Sequence, residues 1–542
     1  MRIGALKSIG RQVLVYGFWP GFVGGVVAVA GSLLLRSTLG TATLAEVVTD
    51  ASTFALGPER FSYLLDQFGA DAKPLLFLGV VGGQLALYCG VATIVGVAIH
   101  LWRLSAGHSR TLPAVGHVCA AAAQAALVAT ALLITSGGMI ATTPADLPSR
   151  TGWPEFVSAI IGMGVAYGIV TELLRLDLHR STAAQDGSST FSRRNFLRGA
   201  AGLAAAAGAS LFVSREVLSL FGKGGTRFDT LGKPTPEVIS NEDFYVVSKN
   251  FTDPKVNGDN WSLTVGGFAY RMIELSYDDI RNMPSQEEFV TLQCISNNVG
   301  GPLIGNARWK GFPLDTLLKR VEPLPSAQFV FFRCYDDYTE TLPLEFARRE
   351  QVALVHEMNG EILPFDHGFP VRLLAPGKYG IKNPKWITEI AMIDEETFGY
   401  WQQRGWSQEA RMQTSTRIDV PVHGATIDEG PFRIHGLAFS GDRGISQVQV
   451  SVDNGRTWND AKVKRPLSPY SWSLWHYDWD AKAKEGLYRI TARSRDGTRE
   501  LQTAMRQPRR PDVFSGVGWT EPLEGQTGYP FVANIKVDRR AI

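Results

Sequence analysis

The segment FVTLQCISNNVGGPLIGNARWKGFPL, residues 289–314, decides how the second half of this 542-residue chain is interpreted. A strand-like run ends at Cys294, and a turn rich in Gly and Asn follows it. A cysteine in such a place is a small buried hydrophobic residue, half of a disulfide with Cys334, or a metal ligand. The compartment in which this part of the chain resides helps to decide among these, because disulfides persist in oxidising surroundings.

Charge is unevenly distributed along the chain. The overall composition, 20% charged with a formal net charge of +2, is that of a globular protein, and no basic stripe indicates nucleic-acid binding. The first 221 residues nevertheless hold most of the long apolar runs. Four of these runs are long enough to cross a bilayer, which takes roughly 20 apolar residues: 13–35, 74–102, 115–141 and 156–174. A fifth run, 199–213, is weaker and rich in Ala and Gly.

Flanking cations predict the orientation of these helices. If the helices alternate, one side of the membrane carries Lys7, Arg11, Arg103, Arg110, Arg175, Arg180, Arg193, Arg194 and Arg198, and the other carries Arg36, Arg60, Lys73 and Arg150. The N-terminus is therefore expected in the cytoplasm. Residues 1–190 are predicted to be a four-helix transmembrane region of a multi-pass protein in the lipid bilayer of the inner (cytoplasmic) membrane. After a fifth crossing, the chain from about residue 222 would lie on the periplasmic, extracytoplasmic side.

The fifth run follows SRRNFL, residues 192–197. This hexapeptide closely resembles the twin-arginine export signal, a receptor-read address. The resemblance implies export of a domain already folded in the cytoplasm, commonly because it receives a cofactor there. Ordinary positive-inside flanking of a helix is the alternative. Residues 191–221 are predicted to be this signal, retained as a fifth transmembrane helix.

The membrane region is interpreted as an anchor. Its histidines, His100, His108, His117 and His179, all map to helix ends or loops, so we expect no haem, although a His100–His117 pair at the cytoplasmic rim stays open. Glu172 is expected at the membrane interface. Five glycines of the second run suit close helix packing: Gly79, Gly82, Gly83, Gly90 and Gly96. The four cysteines of the chain are too scattered for an iron–sulfur cluster.

Two domains are predicted beyond the membrane region. Residues 236–411 combine strand-like runs, WSLTVGG (261–267) and FVFFRCYD (329–336), with helical spacing in LDTLLKRV (314–321). Residues 412–542 hold short strands separated by Gly and Asn, with a strong hairpin signal in DNG, 453–455. The predicted fold is thus multi-domain: a transmembrane α-helical bundle, an α+β domain and an immunoglobulin-like β-sandwich.

Three separated motifs resemble the sulfite oxidase family of molybdopterin enzymes: LQCISNNVGG…NARWKGFPL, HEMNGEILPFDHGFPVRLLAPGKYGIKNPKW and GYWQQRGW. VDNGRTW and YSWSLW resemble that family's dimerisation domain. The resemblance covers roughly residues 236–542. It implies a molybdenum-dependent oxidoreductase that performs oxygen-atom transfer on a small-molecule substrate and can form a homodimer. With neither haem nor an iron–sulfur cluster expected in this polypeptide, electrons would pass to an external carrier, a cytochrome or a quinone-linked protein.

The resemblance also implies a cofactor, one molybdopterin without a nucleotide. Cys294 would be the thiolate ligand of molybdenum, for which a soft sulfur is suited. The pterin phosphate needs cationic and N–H partners. The positions carried over from the family are Tyr245, Val246, Val247, Ser248 and Lys249 in a first loop, Asn297, Asp336, His367 and Arg372, and Asn383, Pro384 and Lys385 in a second loop. Lys378 and Lys382 are expected to add positive charge nearby.

The expected substrate shell departs from the family pattern. Sulfite oxidases surround the oxo group with an Arg of the first loop, a Tyr and an Arg of the dimerisation domain, which here fall at Val247, Trp406 and near Ser468. Trp406 is predicted to be catalytic and to shape a less polar pocket. Compensating charge could come from Arg308, Arg404 or Arg465. We therefore expect a poor sulfite oxidase; the alternatives are a sulfoxide-type reductase of the same family and a non-catalytic membrane scaffold.

Overall fold

The computed structural model describes residues 18–39, 43–44, 48, 72–105, 114–140, 160–174, 232–250, 253–297, 301–481, 486–502 and 531–538. The chain divides into two compact units. The first comprises Met1–Leu56 and Phe68–Gly224, and the second comprises Gly57–Gln67 and Gly225–Ile542. The predicted SRRNFL signal and the fifth apolar run lie outside the described residues.

The described part of the first unit is helical. Its helices are α1 (Trp19–Leu39), α2 (Ala72–Ser105), α3 (Ala114–Ile140) and α4 (Ile160–Leu174). Long apolar runs favour helices because a helix satisfies its own backbone hydrogen bonds in apolar surroundings. Among the described residues, the segment Leu78–Ile99 of α2 is both long and apolar enough to cross a membrane, with a mean hydropathy of 1.8. Shorter apolar segments are Trp19–Leu34, Val118–Leu132 and Ile160–Leu174.

Close helix contacts in this unit use glycines other than those expected. A Cβ atom on Gly21 of α1 would lie 2.5 Å from Ala92, and one on Gly25 would lie 2.8 Å from the Tyr88 ring. The expectation was wrong for four glycines of α2, because a Cβ atom on Gly79, Gly82, Gly83 or Gly90 would meet nothing within 4 Å. The glycines that allow α1 and α2 to approach closely therefore belong to α1, where they have no side chain to hold the helices apart.

Buried polar side chains also connect these helices. Glu172 of α4 is 3% exposed and accepts a 2.7 Å hydrogen bond from the Gln124 amide of α3. The Tyr167 hydroxyl donates to the Tyr88 carbonyl at 2.5 Å. The interfacial placement expected for Glu172 was therefore wrong. The side chains of His100 and His117 lie outside the described residues, so the haem alternative stays untested.

The second unit begins with a mixed α/β region. Its strands are β1 (Ser262–Gly267), β2 (Ile273–Ser276), β3 (Gln286–Gln293), β4 (Ile304–Pro313), β5 (Phe329–Cys334), β6 (Thr339–Pro343), β7 (Ala353–Met358), β8 (Glu361–Ile362), β9 (Arg372–Leu374) and β10 (Ile387–Ile393). Its helices are α5 (Tyr277–Arg281), α6 (Asp315–Val321) and α7 (Leu344–Ala347). One sheet has the order β2-β1-β10-β5-β6. The other has the order β3-β4-β7-β8, with β9 paired to β7. The strands and helix predicted in this region are confirmed.

A two-sheet sandwich follows. Its strands are β11 (Ser415–Val420), β12 (Thr426–Asp428), β13 (Gly430–Phe439), β14 (Ile445–Ser451), β15 (Asn459–Asp460), β16 (Lys462–Val463), β17 (Ser473–Ala481), β18 (Gly486–Asp496) and β19 (Phe531–Asp538). The sheets, β11-β13-β17-β16 and β12-β19-β18-β14-β15, share one apolar core. Asn454 and Gly455 have φ values of 63° and 81° between the paired strands β14 and β15, which confirms the predicted hairpin. The immunoglobulin-like topology stays a prediction.

The sandwich packs directly on the strand that ends at Cys294. A single apolar core contains Leu292 and Trp309 of the α/β region together with Leu437 and Trp472 of the sandwich. The hydroxyl of Thr291 on β3 accepts from the Trp472 backbone N–H at 2.9 Å. The end of β3 is therefore positioned from both domains.

Candidate functional site

A cavity with an empty volume of about 720 Å³ lies beside Cys294. It brings together residues that are up to 157 positions apart in the sequence, from Phe244 to Trp401. The predicted site residues that line it are Tyr245, Val246, Val247, Ser248, Lys249, Cys294, Asp336, His367, Arg372, Asn383, Pro384 and Lys385. Asn297 and Trp406 are not among its described lining residues.

The thiol of Cys294 lies in this cavity, one residue beyond the end of β3. Its backbone N–H donates to the Leu303 carbonyl at 3.0 Å, and its Sγ lies 3.0 Å from the Ser296 hydroxyl. Within the described residues neither Cys294 nor Cys334 forms a disulfide, which excludes their predicted alternative pairing. Cys334 packs in the core at the end of β5, as expected.

Asn297 stabilises the turn that follows Cys294. Its side-chain oxygen accepts from the Leu303 N–H at 2.9 Å, and its own backbone N–H donates to the Cys294 carbonyl at 3.0 Å. The expectation of a cofactor contact is corrected, because the side chain is used in the turn. Asn297 thereby supports the position of the thiol.

Arg372 supplies a buried cation at the cavity. Its side chain is 5% exposed, and its terminal nitrogens donate to the His367 carbonyl at 3.0 Å and the Asn383 carbonyl at 3.4 Å. The guanidinium also lies over the Trp309 ring at 5.2 Å. Burial lowers its pKa to about 10, so it keeps its charge at neutral pH. Its Nε–H has no partner among the described residues, which suits an incoming anion.

His367 lies next to this cation as a neutral ring. Its Nε2 is 2.9 Å from the Asn241 carbonyl, and since a carbonyl only accepts, this nitrogen carries the proton. Burial is the main cause that lowers the pKa of His367 to about 4. The imidazole is therefore uncharged at neutral pH and offers its other nitrogen as an acceptor.

Lys385 is the second cation of this end of the cavity. Its Nζ donates to the Asp366 carbonyl at 2.8 Å and lies 3.7 Å from an Asp253 carboxylate oxygen. It also lies 4.2 Å from the centroid of the Trp386 ring. Burial lowers the pKa of Lys385, with Asp253 acting in the opposite direction. Arg372 and Lys385 thus both supply cations to the lining, with the Asp253 carboxylate beside Lys385.

The first loop is attached to the β5–β6 turn by charge. Lys249 lies 3.7 Å from the Asp336 carboxylate, and both side chains are almost fully buried. Asp336 also accepts from the Asn250 amide at 2.7 Å and the Tyr338 N–H at 3.2 Å. The charge of Lys249 in the cavity lining is thus already paired with Asp336.

Lys378 and Lys382, expected to add charge near the pterin, bind elsewhere. Lys378 donates to the Glu409 carbonyl at 2.9 Å, and Lys382 donates to the buried Glu340 carboxylate at 2.7 Å. Neither lysine is among the described residues that line the cavity. Lys378 and Lys382 are close in sequence to His367 and Arg372, but this closeness does not predict the direction in which the two lysine side chains point.

Two of the three substrate-shell positions also lie outside the cavity lining. Trp406 is buried and packs edge-on against Trp401 at 5.9 Å, and Trp401 is the member of the pair that lines the cavity. Ser468 donates to the Phe289 carbonyl in the contact between β3 and the sandwich. Val247 alone of the three faces the cavity, where it is 38% exposed. The structure therefore places Trp406 behind the wall, which corrects its predicted catalytic position.

The three arginines considered as compensating charges are not at the cavity in the described structure. Arg308 pairs with Glu287 at 3.3 Å, and Arg465 is exposed on the sandwich. Arg404 stacks over the Tyr400 ring at 3.5 Å and donates to its carbonyl. The lining around Val247 therefore gains no cation from them.

Further lining residues were not singled out from the sequence: Phe244, Leu292, Tyr338, Asp366, Gly380, Ile381, Trp386 and Trp401. Most lie within two positions of a predicted residue, so a motif-centred search passes over them. Trp401 belongs to the motif GYWQQRGW, so it was the lining residue that the sequence could most readily have indicated. Six of these eight residues are aromatic or aliphatic, so much of the cavity wall is apolar.

The residues present fit a phosphate-bearing pterin that carries a thiophilic metal. A soft thiol lies in the cavity, and a buried guanidinium with an unused N–H supplies an anion site. Metal chemistry and phosphate recognition therefore each have suitable partners in one cavity.

Comparison with known proteins gives two matches in the second unit. An oxidoreductase molybdopterin binding domain matches residues 250–401, and a Mo-co oxidoreductase dimerisation domain matches residues 407–510. The mitochondrial sulfite oxidase of Homo sapiens is 31% identical over 295 residues, which are 45% of this chain and 54% of that protein. The sulfite oxidase of Arabidopsis thaliana is 31% identical over 262 residues, 39% of this chain and 66% of that protein.

A solved structure, the sulfane dehydrogenase SoxCD from Paracoccus pantotrophus, aligns with a TM-score of 0.45 at 22% identity. The alignment covers 50% of this chain and 75% of the SoxCD chain. The chain spans about half the length of the human relative.

Acidification is expected to destabilise the second unit through His367. The pKa of this residue is about 4 in the folded protein, against an ordinary value of 6.5. Below pH ~6.5 the unfolded chain therefore binds a proton that the folded chain excludes. The neutral His367 ring contributes about 3 kcal/mol to the free energy of unfolding. This contribution is fully present above pH ~6.5 and is lost as the pH falls toward ~4. Thermal unfolding of the cofactor-free protein across this window should show a flatter pH dependence for His367→Gln.

The control for this measurement is His423→Gln, because His423 is exposed on the sandwich. It should retain the parent's pH dependence. An unchanged slope in His367→Gln would contradict the protonation state assigned to this ring.

Proposed function

The chain belongs to the sulfite oxidase family of molybdopterin-dependent oxidoreductases, and from this premise we propose that its cavity is the active site of a membrane-anchored molybdenum enzyme. The observation that carries the proposal is that the Cys294 thiol and the unsatisfied Arg372 guanidinium line one cavity. A scaffold without catalysis would need neither group. The expected cofactor is a molybdopterin without a nucleotide.

The chain's own residues would divide the work of holding this cofactor. Cys294 would bind molybdenum, and Arg372 and Lys385 would bind the phosphate. His367 would accept a hydrogen bond beside them without adding charge. The loops 245–249 and 383–385 would enclose the pterin from two sides. When bound, molybdenum would supply the redox and oxygen-atom-transfer chemistry.

The substrate is proposed to be small and weakly charged. Val247 lines the cavity at a position where a sulfite oxidase would have an Arg, and Trp401, also in the lining, adds no charge. The described cations of the lining are already engaged: Lys249 with Asp336, and Arg372 and Lys385 at the phosphate end. A small anion entering this site would lose hydration without gaining a counter-charge. The protein is therefore proposed to be a poor sulfite oxidase.

Reduction of a sulfoxide-type group is the second candidate function. The aromatic and apolar wall formed by Leu292, Val247 and Trp401 favours it, because a neutral sulfoxide needs less charge compensation than an oxyanion. Assays with artificial electron donors and acceptors separate the two directions of reaction.

Anchoring and location extend the proposal. The apolar helices, with Leu78–Ile99 as the clearest span, support insertion in the inner membrane. The positive-inside pattern and the SRRNFL signal support an extracytoplasmic active site. The matched domain at residues 407–510 supports a homodimer. With no haem or iron–sulfur cluster expected in the chain, a separate redox protein would exchange its electrons.

Cofactor content tests the proposal directly. Protein from a molybdenum-competent host should contain molybdenum and pterin at close to one per chain. Arg372→Met removes charge-assisted hydrogen bonds worth about 1.5–3 kcal/mol each, so its retained pterin should fall roughly tenfold or more. Arg308→Met is the control, because Arg308 forms an ion pair away from the cavity. A parent without molybdenum, or full loading of Arg372→Met, would contradict the proposal.

Sulfite turnover tests the substrate assignment. Val247→Arg places a cation where the cavity is open, and one charge-assisted contact should raise kcat/KM for sulfite by roughly one to two orders of magnitude. Val463→Arg adds the same charge on the sandwich, where Val463 is also exposed, and should have little effect. Efficient sulfite turnover by the parent would show that the substrate assignment is wrong.

A further inference from the structure

Glu340 places a buried carboxylate behind the cavity. Its side chain, on β6, is fully buried and accepts hydrogen bonds on both oxygens. One oxygen accepts from Lys382 Nζ at 2.7 Å and from the Thr341 N–H at 2.8 Å. The other accepts from the Gln402 amide at 3.0 Å. Two of these donors, Lys382 and Gln402, come from segments distant from β6 in the sequence.

Each of these donors is next to a lining residue of the cavity. Lys382 lies between Ile381 and Asn383, and Gln402 follows Trp401. Tyr338 itself lines the cavity, and its hydroxyl also lies 2.6 Å from the Ile381 carbonyl. The second cofactor loop, the aromatic wall and the β5–β6 turn thus meet at this carboxylate.

Stability alone does not explain a charged group at this place. Removing a carboxylate and an ammonium from water costs more than their attraction commonly returns, and apolar replacements of such pairs are often neutral or stabilising. A carboxylate with three donors does, however, fix the direction of each donor. The distinctive effect of the Glu340 carboxylate is therefore on the geometry of its donors.

We propose that Glu340 is a positioning residue that fixes the loop 380–385 and the Trp401 wall in the geometry needed to retain the cofactor. The inference rests on the proposed function, because it takes the cavity to be the molybdopterin site. Glu340 does not line the cavity in the described structure. It acts through Lys382 and Gln402.

Two variants separate positioning from stability. Glu340→Gln leaves the Lys382 ammonium buried without a counter-charge, so both the unfolding temperature and pterin retention should fall. Glu340→Gln combined with Lys382→Met removes both charges, so the unfolding temperature should return close to the parent's. Pterin retention should nevertheless stay at least tenfold below the parent's, because Met cannot bind loop 380–385 to β6.

The measurements use the full-length holoenzyme. Pterin remaining after dialysis is read by its fluorescence after denaturation, and hydrogen exchange is followed in peptides covering 375–386 and 397–406. Both peptides should exchange faster in the double variant than in the parent. The matched control is Arg443→Met with Asp496→Asn, which removes a 2.8 Å ion pair in the sandwich. It should retain parental pterin and parental exchange in these peptides.

The outcomes are distinct. Recovery of pterin retention together with unfolding temperature in the double variant would show that Glu340 is only structural and would overturn the inference. Absence of pterin from the parent would overturn the proposed function and the inference with it. A loaded parent with persistent pterin loss and faster exchange in the double variant supports both.

Discussion

The buried guanidinium of Arg372 is the constraint from which the architecture of this site follows. A charge removed from water costs several kcal/mol unless it is hydrogen-bonded. The carbonyls of His367 and Asn383 and the face of Trp309 offset part of that cost. The Nε–H remains unsatisfied among the described residues, so the cavity is already arranged for an anion. The surrounding loops must hold this charge before any ligand arrives.

Two apolar cores stabilise the strands and loops that surround this buried charge. The sheet containing β1, β5 and β10 encloses one core, and β3, β4 and the sandwich share another. Thr291, two residues before the end of β3, accepts from the Trp472 N–H, and its own N–H donates to the Tyr470 carbonyl. The sandwich therefore helps to set where Cys294 lies. A domain recognisable as a dimerisation module also contributes to the architecture of the active site.

Sequence patterns predicted the parts of this site that depend on local chain geometry. Cys294, His367 and Arg372 lie where their motifs indicated, and the hairpin at Asn454 has the expected backbone. The direction in which a side chain points was harder to predict. Lys382 and Trp406 belong to the right segments but point to Glu340 and Trp401, because neighbouring positions in irregular loops do not share a face.

Long-range pairings were not predictable from one sequence. Glu340 was not singled out because its significance comes from Lys382 and Gln402, which are distant in the chain. Glu172 was misplaced for the same reason, since Gln124 is on another helix. In each case a polar residue looks solvated until its partner is known.

The central claim is that Cys294 binds molybdenum in this cavity. X-ray absorption at the molybdenum edge of the purified protein tests it most directly, because the sulfur neighbours of the metal are counted without any assay of activity. The account predicts one more sulfur neighbour in the parent than in Cys294→Ser, and no change in Cys334→Ser, which alters another buried cysteine. An identical sulfur shell in the parent and Cys294→Ser would contradict it.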